Sequence, residues 1–222
     1  MPETRTRIKI CGITNREDAV GAIEMGADAL GFIFVPESPR YVGNLPGMAE
    51  LLASLPPFVT RVGVCLHPEQ IAPEYHPHLD LLQIYDHSSI DIPGQDATAS
   101  SHIPAFRIRN ESDLEQIGVL LHRWTPRALL LDAYHEQQLG GAGVRFDWNL
   151  ASLAMERFKA RVILAGGLNE LNVSEAILQV RPYAVDIASG IEASPGRKDH
   201  YRMRAFVNAV YSADQLALAA SL

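Results

Sequence analysis

Short apolar segments typical of β-strands recur eight times along this chain, and helix-like segments separate nearly all of them. The clearest is Ala29–Val35 (ALGFIFV), which has no polar face and is typical of a parallel strand covered on both sides. The first predicted strand ends at Gly12, and the others are residues 60–66, 81–85, 105–109, 128–133, 161–166 and 184–190. Eight such units in 222 residues predict an α/β fold, a (β/α)8 TIM barrel near the compact end of its size range.

The fourth unit departs from this regular pattern. Residues 86–104 are rich in Ser, Asp and Pro and lack an apolar period of 3.6 residues. We therefore expect a loop or a rudimentary helix there, which makes the helix after strand four degenerate or missing. The alternative fold is an open doubly wound sheet, but no Gly-x-Gly-x-x-Gly motif follows the first strand.

Composition narrows the range of partners and compartments. No linker-like run divides the chain, so we expect one domain over residues 1–222. The net charge is −7 and the basic residues are dispersed, which argues against a nucleic-acid partner. No segment approaches the ~18 apolar residues of a membrane span, and the amino terminus is polar. With only two cysteines, Cys11 and Cys65, the sequence predicts a cytoplasmic protein without disulfides or membrane contact.

Three side chains that could take part in catalysis or binding lie at or just after the ends of predicted strands, where the active site of a barrel lies. Alternation places Cys11 on the same strand face as Lys9, Asp132 ends strand six, and Arg40 follows strand two. A thiolate base and a protonated carboxyl acid would both need pKa values shifted from ~8.5 and ~3.9. The alternatives are a small buried apolar residue for Cys11, a strand-end cap for Asp132 and a solvated loop residue for Arg40.

Two loops rich in small residues predict a phosphate site. Gly166 and Gly167 open the loop after strand seven, and Ser189 and Gly190 open the loop after strand eight, the recurrent position for phosphate in barrels. The loop that contains Gly141 and Gly143 resembles a lid over a ligand, although a long surface turn would explain it equally well.

Charged side chains on inward strand faces need partners. Lys9, Arg107 and Asp186 fall on such positions, so we expect salt bridges within the barrel or contacts with substrate. No His, Cys and Asp residues have the spacing of metal ligands, so we predict no metal.

Six sequence motifs follow one another over nearly the whole chain: residues 9–14 (KICGIT), 26–42 (GADALGFIFVPESPRYV), 62–64 (VGV), 131–148 (LDAYHEQQLGGAGVRFDW), 164–169 (LAGGLN) and 185–199 (VDIASGIEASPGRKD). In this order they resemble the phosphoribosylanthranilate isomerase family of tryptophan biosynthesis. The resemblance implies an Amadori rearrangement of N-(5-phosphoribosyl)anthranilate, without metal or organic cofactor. It also implies a (β/α)8 barrel.

The resemblance also implies roles for individual residues. Cys11 matches the general base that deprotonates the sugar carbon next to the anomeric carbon, and Asp132 matches the general acid that protonates the ring oxygen. Arg40 matches the arginine that contacts the anthranilate group. The phosphorylated substrate would be bound by residues of three loops, namely Gly141, Gly143, Gly166, Gly167, Ser189 and Gly190.

The sequence departs from the family pattern in its middle. Family members usually have Gln-Leu-His-Gly at strand four, where this chain has Gln83, Ile84, Tyr85 and Asp86. Arg107 replaces the usual lysine of strand five. These differences affect the floor of the pocket and leave the proposed acid and base in place.

Three other functions compete with this interpretation. A related phosphate-binding barrel, such as indole-glycerol-phosphate synthase or a phosphosugar epimerase, would need a catalytic lysine with further carboxylates or a metal-binding His/Asp set. A noncatalytic binder of phosphoribosyl ligands would need neither Cys11 nor Asp132. Relatives that also act in the histidine pathway use two aspartates, so Cys11 favours the anthranilate substrate. We expect a monomer or a homodimer.

Overall fold

The computed structural model describes residues 5–87, 101–123, 126–132 and 148–220. Within them, eight parallel strands form a closed barrel in chain order, and the last strand pairs with the first. The strands are β1 (Arg7–Cys11), β2 (Ala29–Ile33), β3 (Thr60–Cys65), β4 (Leu81–Ile84), β5 (His102–Arg107), β6 (Leu129–Asp132), β7 (Val162–Ala165) and β8 (Ala184–Ile187). The predicted barrel is confirmed.

Helices surround the barrel, and local sequence signals set their ends. They are α1 (Arg16–Met25), α2 (Met48–Ser54), α3 (Asp113–Arg123), α4 (Trp148–Phe158), α5 (Val173–Val180) and α6 (His200–Ala219). Asn15 caps α1 by accepting a hydrogen bond from the Asp18 N–H, and Gly26 ends it in the left-handed conformation. Between β3 and β4 the chain forms only two short 3₁₀ helices, Pro68–Gln70 and His76–His78, as the prolines there predict.

The strands separate two apolar layers. Ile8 and Ile10 of β1 are buried in the outer layer with the helices. Residues on the other strand face fill the barrel, as Ala105, Leu130 and Ile163 do. Because side chains alternate along a strand, this arrangement turns Lys9 and Cys11 inward, as predicted from the sequence.

Strand register brings polar inward residues together near one end of the barrel. Lys9 lies opposite Asp186 between β1 and β8, and Arg107 lies opposite Asp132 between β5 and β6. Cys11 and Asp132 are the last residues of their strands, so both lie at the carboxyl-terminal mouth.

The structure corrects two predicted boundaries. β5 begins at His102, within the segment predicted as loop, because Ile103 and Ala105 are both buried inside the barrel. The predicted strand over residues 184–190 is too long, since β8 ends at Ile187 and Ser189–Ile191 forms a short 3₁₀ helix. Residues 88–100, where the helix of the fourth unit was expected to be degenerate or missing, lie outside the described residues.

One element was not predicted from the sequence. After β8, two short strands, Glu192–Ser194 and Arg197–Lys198, pair antiparallel and form a hairpin beside the barrel mouth. In the part of the chain that the structure describes, no helix is both long enough and apolar enough to cross a membrane.

Candidate active site

A cavity of about 350 Å³ opens at the carboxyl-terminal mouth of the barrel. Its wall contains six of the predicted site residues, namely Cys11, Asp132, Gly166, Gly167, Ser189 and Gly190. Its volume falls in the usual range of small-molecule sites. Gly141 and Gly143, which were predicted to bind substrate, lie outside the described residues.

The Cys11 thiol lies at the end of β1, buried beside a charged pair. Lys9, on the same strand face, donates a hydrogen bond from Nζ to Oδ1 of Asp186 at 2.8 Å. Burial raises the pKa of the Cys11 thiol above its usual value, and the positive charge of Lys9 only partly offsets this effect. The raised pKa favours the protonated thiol, so the thiolate that a base requires depends on the nearby positive charges.

Gly31 of β2 makes room for this thiol. A Cβ atom at this position would lie 2.6 Å from Sγ of Cys11 and 3.0 Å from Nζ of Lys9. Any side chain here would displace the thiol or the ammonium group. Gly31 was not among the predicted site residues, although a glycine within an otherwise bulky strand is a known sign of close approach.

The Asp132 carboxyl lies across the cavity at the end of β6. The Tyr85 hydroxyl donates a hydrogen bond to its Oδ2 at 3.4 Å. Burial raises the pKa of Asp132, and the charge of Asp186 acts in the same direction, whereas Arg107 and the Tyr85 hydrogen bond oppose the shift. A carboxyl with a raised pKa holds its proton better than an exposed aspartate does, as a general acid requires.

The loops after β7 and β8 meet beside these two groups. Gly166 and Gly167 have φ values of +91° and +64°, which favour glycine. Gly190 approaches the carbonyl of Leu168 so closely that a Cβ atom would collide with it. Backbone with small residues therefore forms this part of the wall, as a cradle for a phosphate requires.

Arg40, also predicted as a site residue, is not part of this cavity wall and instead binds a carboxylate of the protein. Its Nε and Nη2 donate to the two oxygens of Glu192 at 2.8 and 2.6 Å. The aliphatic part of its side chain runs against Gly12, where a Cβ atom would lie 2.6 Å from Cδ of Arg40. Its predicted contact with anthranilate stays a prediction.

Lys198 connects this ion pair to the strand that carries the thiol. Its buried Nζ donates to Oε1 of Glu192 at 2.9 Å and to the backbone carbonyls of Cys11 and Ala188 at 2.7 and 3.1 Å. Burial lowers the pKa of Lys198, and Glu192 opposes this shift. Sequence reasoning missed the roles of Glu192 and Lys198, because nothing in the spacing shows that residues of the hairpin reach the end of β1.

In the parts of the chain that the structure describes, no three His, Cys, Asp or Glu side chains are clustered so that they could hold a metal ion. The chemistry offered by the cavity wall is a thiol, a carboxyl and a backbone cradle.

Comparisons with known proteins identify the family. Residues 8–209 match the family model described as N-(5'phosphoribosyl)anthranilate (PRA) isomerase. The chain is 43% identical over 205 residues to the N-(5'-phosphoribosyl)anthranilate isomerase of Geobacter sp. (strain M21), which covers 91% of this chain and 96% of that relative.

Solved structures agree with this result. One is a phosphoribosyl anthranilate isomerase in complex with reduced 1-(o-carboxyphenylamino)-1-deoxyribulose 5-phosphate, with a TM-score of 0.76 and 36% identity over 93% of this chain and 99% of the other. Another shows monomers generated from the dimeric enzyme of Thermotoga maritima, with a TM-score of 0.77 and 36% identity over the same shares. The chain therefore belongs to the N-(5'phosphoribosyl)anthranilate isomerase family.

Proposed function

We propose that this chain catalyses the Amadori rearrangement of N-(5-phosphoribosyl)anthranilate to 1-(2-carboxyphenylamino)-1-deoxyribulose 5-phosphate in tryptophan biosynthesis. The observation that carries the proposal is the position of a buried thiol, Cys11, and a carboxyl, Asp132, in the wall of one cavity. The reaction moves protons without a net change of oxidation state. An acid and a base held on either side of the substrate therefore suffice for it.

In the first step, Asp132 gives its proton to the oxygen of the furanose ring. The bond between this oxygen and the anomeric carbon breaks, and the nitrogen lone pair forms a Schiff base. The raised pKa of Asp132 keeps the proton available, and the nearby Tyr85 hydroxyl stabilises the carboxylate that forms.

In the second step, Cys11 takes the proton from the neighbouring sugar carbon. The electron pair forms a carbon–carbon double bond, and the nitrogen recovers its lone pair. The resulting enolamine becomes the ketone when the former anomeric carbon gains a proton and the enol hydroxyl loses one. The positive charge of Lys9 beside Cys11 favours the thiolate that this step needs.

The remaining site residues bind the two ends of the substrate. We assign the phosphate to the backbone around Gly166, Gly167, Ser189 and Gly190, which lies in the same cavity wall as the acid and base. We assign the anthranilate carboxylate to Arg40. Its guanidinium has five N–H donors, of which the Glu192 contact uses one on Nε and one on Nη2.

Anthranilate fluorescence tests the proposed activity. Purified protein added to freshly made phosphoribosylanthranilate should accelerate the fluorescence decay above the spontaneous breakdown of the substrate. Cys11→Ala and Asp132→Asn, shown to be folded by circular dichroism, should lose this acceleration. Near-wild-type turnover in either folded variant would contradict the assigned roles. Binding of the reduced product analogue without any turnover would instead support a noncatalytic binder.

We further propose a cytoplasmic homodimer. Both cysteines of the chain are free thiols, which suits a reducing compartment. Phe58, between α2 and β3, is 99% exposed, and aromatic residues are enriched in protein interfaces. The Thermotoga maritima relative is described as dimeric. Light scattering should give twice the monomer mass for wild type, and Phe58→Glu should lower it toward the monomer.

A further inference from the structure

Gln83 of β4 has a buried acceptor that the protein does not satisfy. The residue is 1% exposed, and it forms part of the wall of the cavity that contains Cys11 and Asp132. Its Nε2 donates to the Tyr85 hydroxyl at 3.4 Å. Within the described residues, its Oε1 has no hydrogen-bond partner. A buried acceptor without a partner costs free energy and is uncommon in native proteins unless a ligand or ordered water meets it.

The orientation of this amide follows from Tyr85. Burial raises the pKa of the Tyr85 phenol well above its usual value, so the phenol keeps its single proton. It donates that proton to Oδ2 of Asp132. Towards Gln83, the phenol oxygen therefore acts as an acceptor, which turns Nε2 of Gln83 towards Tyr85 and leaves Oε1 as the open acceptor.

The proposed substrate has few groups that can donate to such an acceptor. Its nitrogen carries one hydrogen, but the carboxylate in the ortho position of the same ring accepts it in an internal hydrogen bond. The phosphate and the carboxylate are acceptors. The remaining donors are the two ring hydroxyls of the ribosyl group.

We propose that Gln83 positions the ribosyl group of the substrate by accepting a hydrogen bond from one of its hydroxyls at Oε1. This inference rests on the proposed substrate, and it adds a contact to the sugar between the phosphate cradle and the anthranilate site. The contact also provides selectivity, because an analogue that lacks the hydroxyl would leave the buried oxygen unsatisfied.

Direct binding measurements test this contact without turnover. The probe is reduced 1-(o-carboxyphenylamino)-1-deoxyribulose 5-phosphate, which keeps the sugar hydroxyls in an open chain and is followed by its anthranilate fluorescence. Gln83→Met keeps the length of the side chain but removes both polar atoms. We expect its Kd for the probe to rise about tenfold, as for the loss of one hydrogen bond. The Kd for inorganic phosphate, measured by competition, should stay unchanged.

Tyr85→Phe is the matched second variant and also serves if Gln83→Met does not fold. Without the phenol oxygen, the Gln83 amide can turn either way, so the Kd for the probe should rise by a smaller factor of about three. An unchanged Kd for the probe in these variants, or an equal loss of affinity for phosphate, would overturn the proposal.

Failure of this inference can be separated from failure of the proposed function. If wild type turns over phosphoribosylanthranilate while Gln83→Met binds the probe normally, only the Gln83 contact is overturned. If wild type binds the probe and Gln83→Met binds it tenfold more weakly, the contact is supported even where turnover is absent. If wild type does not bind the probe at all, the proposed substrate and the contact are both overturned.

Discussion

The two sides of the barrel mouth hold their functional groups by different means. On the thiol side, formed by β8, β1, β2 and the hairpin, the buried Lys198 ammonium donates to three acceptors, and Glu192 bridges it to Arg40. On the carboxyl side, formed by β4, β5 and β6, Gln83, Tyr85 and Asp132 are linked by hydrogen bonds of 3.4 Å.

The two sides of the site therefore differ in what keeps their side chains in place. The thiol side is a network of short, charged contacts that fixes the backbone around Cys11 before substrate arrives. The carboxyl side contains longer contacts and an open acceptor, so part of its order depends on the ligand. Four predictions test this contrast, from the largest expected effect to the smallest.

Asp132→Asn should lower kcat by about 10³-fold, the usual range for loss of a general acid. It should also remove the fall of kcat at high pH. The pKa of the Cys11 thiol and that of the Asp132 carboxyl are both raised, and the thiol titrates at the higher pH. In wild type, kcat should rise through the Asp132 pKa and fall through the Cys11 pKa. The reason is that the active form has one proton for the two groups, and in its reactive arrangement Asp132 holds this proton while Cys11 is a thiolate.

In Asp132→Asn, ring opening limits the rate and does not use the thiolate, so the small residual kcat should stay constant through the Cys11 pKa. Steady-state fluorescence assays across the pH range in which both proteins stay folded provide the comparison. A residual activity that still falls at high pH would contradict the assignment of Asp132 as the acid.

Gly31→Ala should lower kcat by about 10²-fold while the protein stays folded. The added methyl group would displace Cys11 Sγ or Lys9 Nζ, and misplacement of a catalytic group by about 1 Å has this cost. Turnover and circular dichroism of the variant check the prediction. Gly47→Ala is the control, because a Cβ atom there has no neighbour within 4 Å, although its positive φ adds some strain. Wild-type activity in Gly31→Ala would mean that the close approach is not needed.

Lys198→Met should destabilise the protein by about 3 kcal/mol, because it leaves Glu192 and two backbone carbonyls without the buried ammonium group. Urea unfolding gives the free-energy change. Tyr85→Phe, which removes only the long contacts of the carboxyl side, should cost no more than about 1 kcal/mol in the same experiment. Equal losses in the two variants would remove the contrast between the two sides.

Cys65→Ala should have the smallest effect, a loss of about 1 kcal/mol in unfolding free energy with unchanged turnover. Cys65 ends β3 as Cys11 ends β1, but its thiol is buried in the outer apolar layer, where burial raises its pKa to about 12. Turnover of Cys65→Ala beside Cys11→Ala shows whether the cavity, rather than burial alone, makes a thiol catalytic. A large loss of turnover in Cys65→Ala would contradict this view.

The inward position of Cys11 could be predicted because it depends on local order in the sequence. Side chains alternate in strands, and the apolar outer layer fixes which face of β1 points outward. The same reasoning placed Lys9 and Asp186 inside the barrel, where they form the expected salt bridge. Closure of the barrel then brought Asp132 to the same mouth as Cys11.

Contacts between distant segments could not be predicted in this way. Arg40 and Glu192 are 152 residues apart, and Lys198 and Cys11 are 187 apart. Each of these pairs depends on the path of the hairpin across the mouth, which residue spacing does not determine. The open acceptor of Gln83 depends on the direction of one amide, and this direction follows from the phenol proton of Tyr85.

An isotope effect tests most directly whether the two sides act in separate steps. The substrate would carry deuterium on the sugar carbon that Cys11 is proposed to deprotonate, and single-turnover rates would be measured for Cys11→Ser and Asp132→Asn. We expect slow turnover with a large isotope effect in Cys11→Ser, because proton abstraction limits the rate, and slow turnover with an effect near unity in Asp132→Asn, because ring opening limits it. The opposite pattern, or equal effects in the two variants, would contradict the assignment of base and acid to the two sides of the mouth.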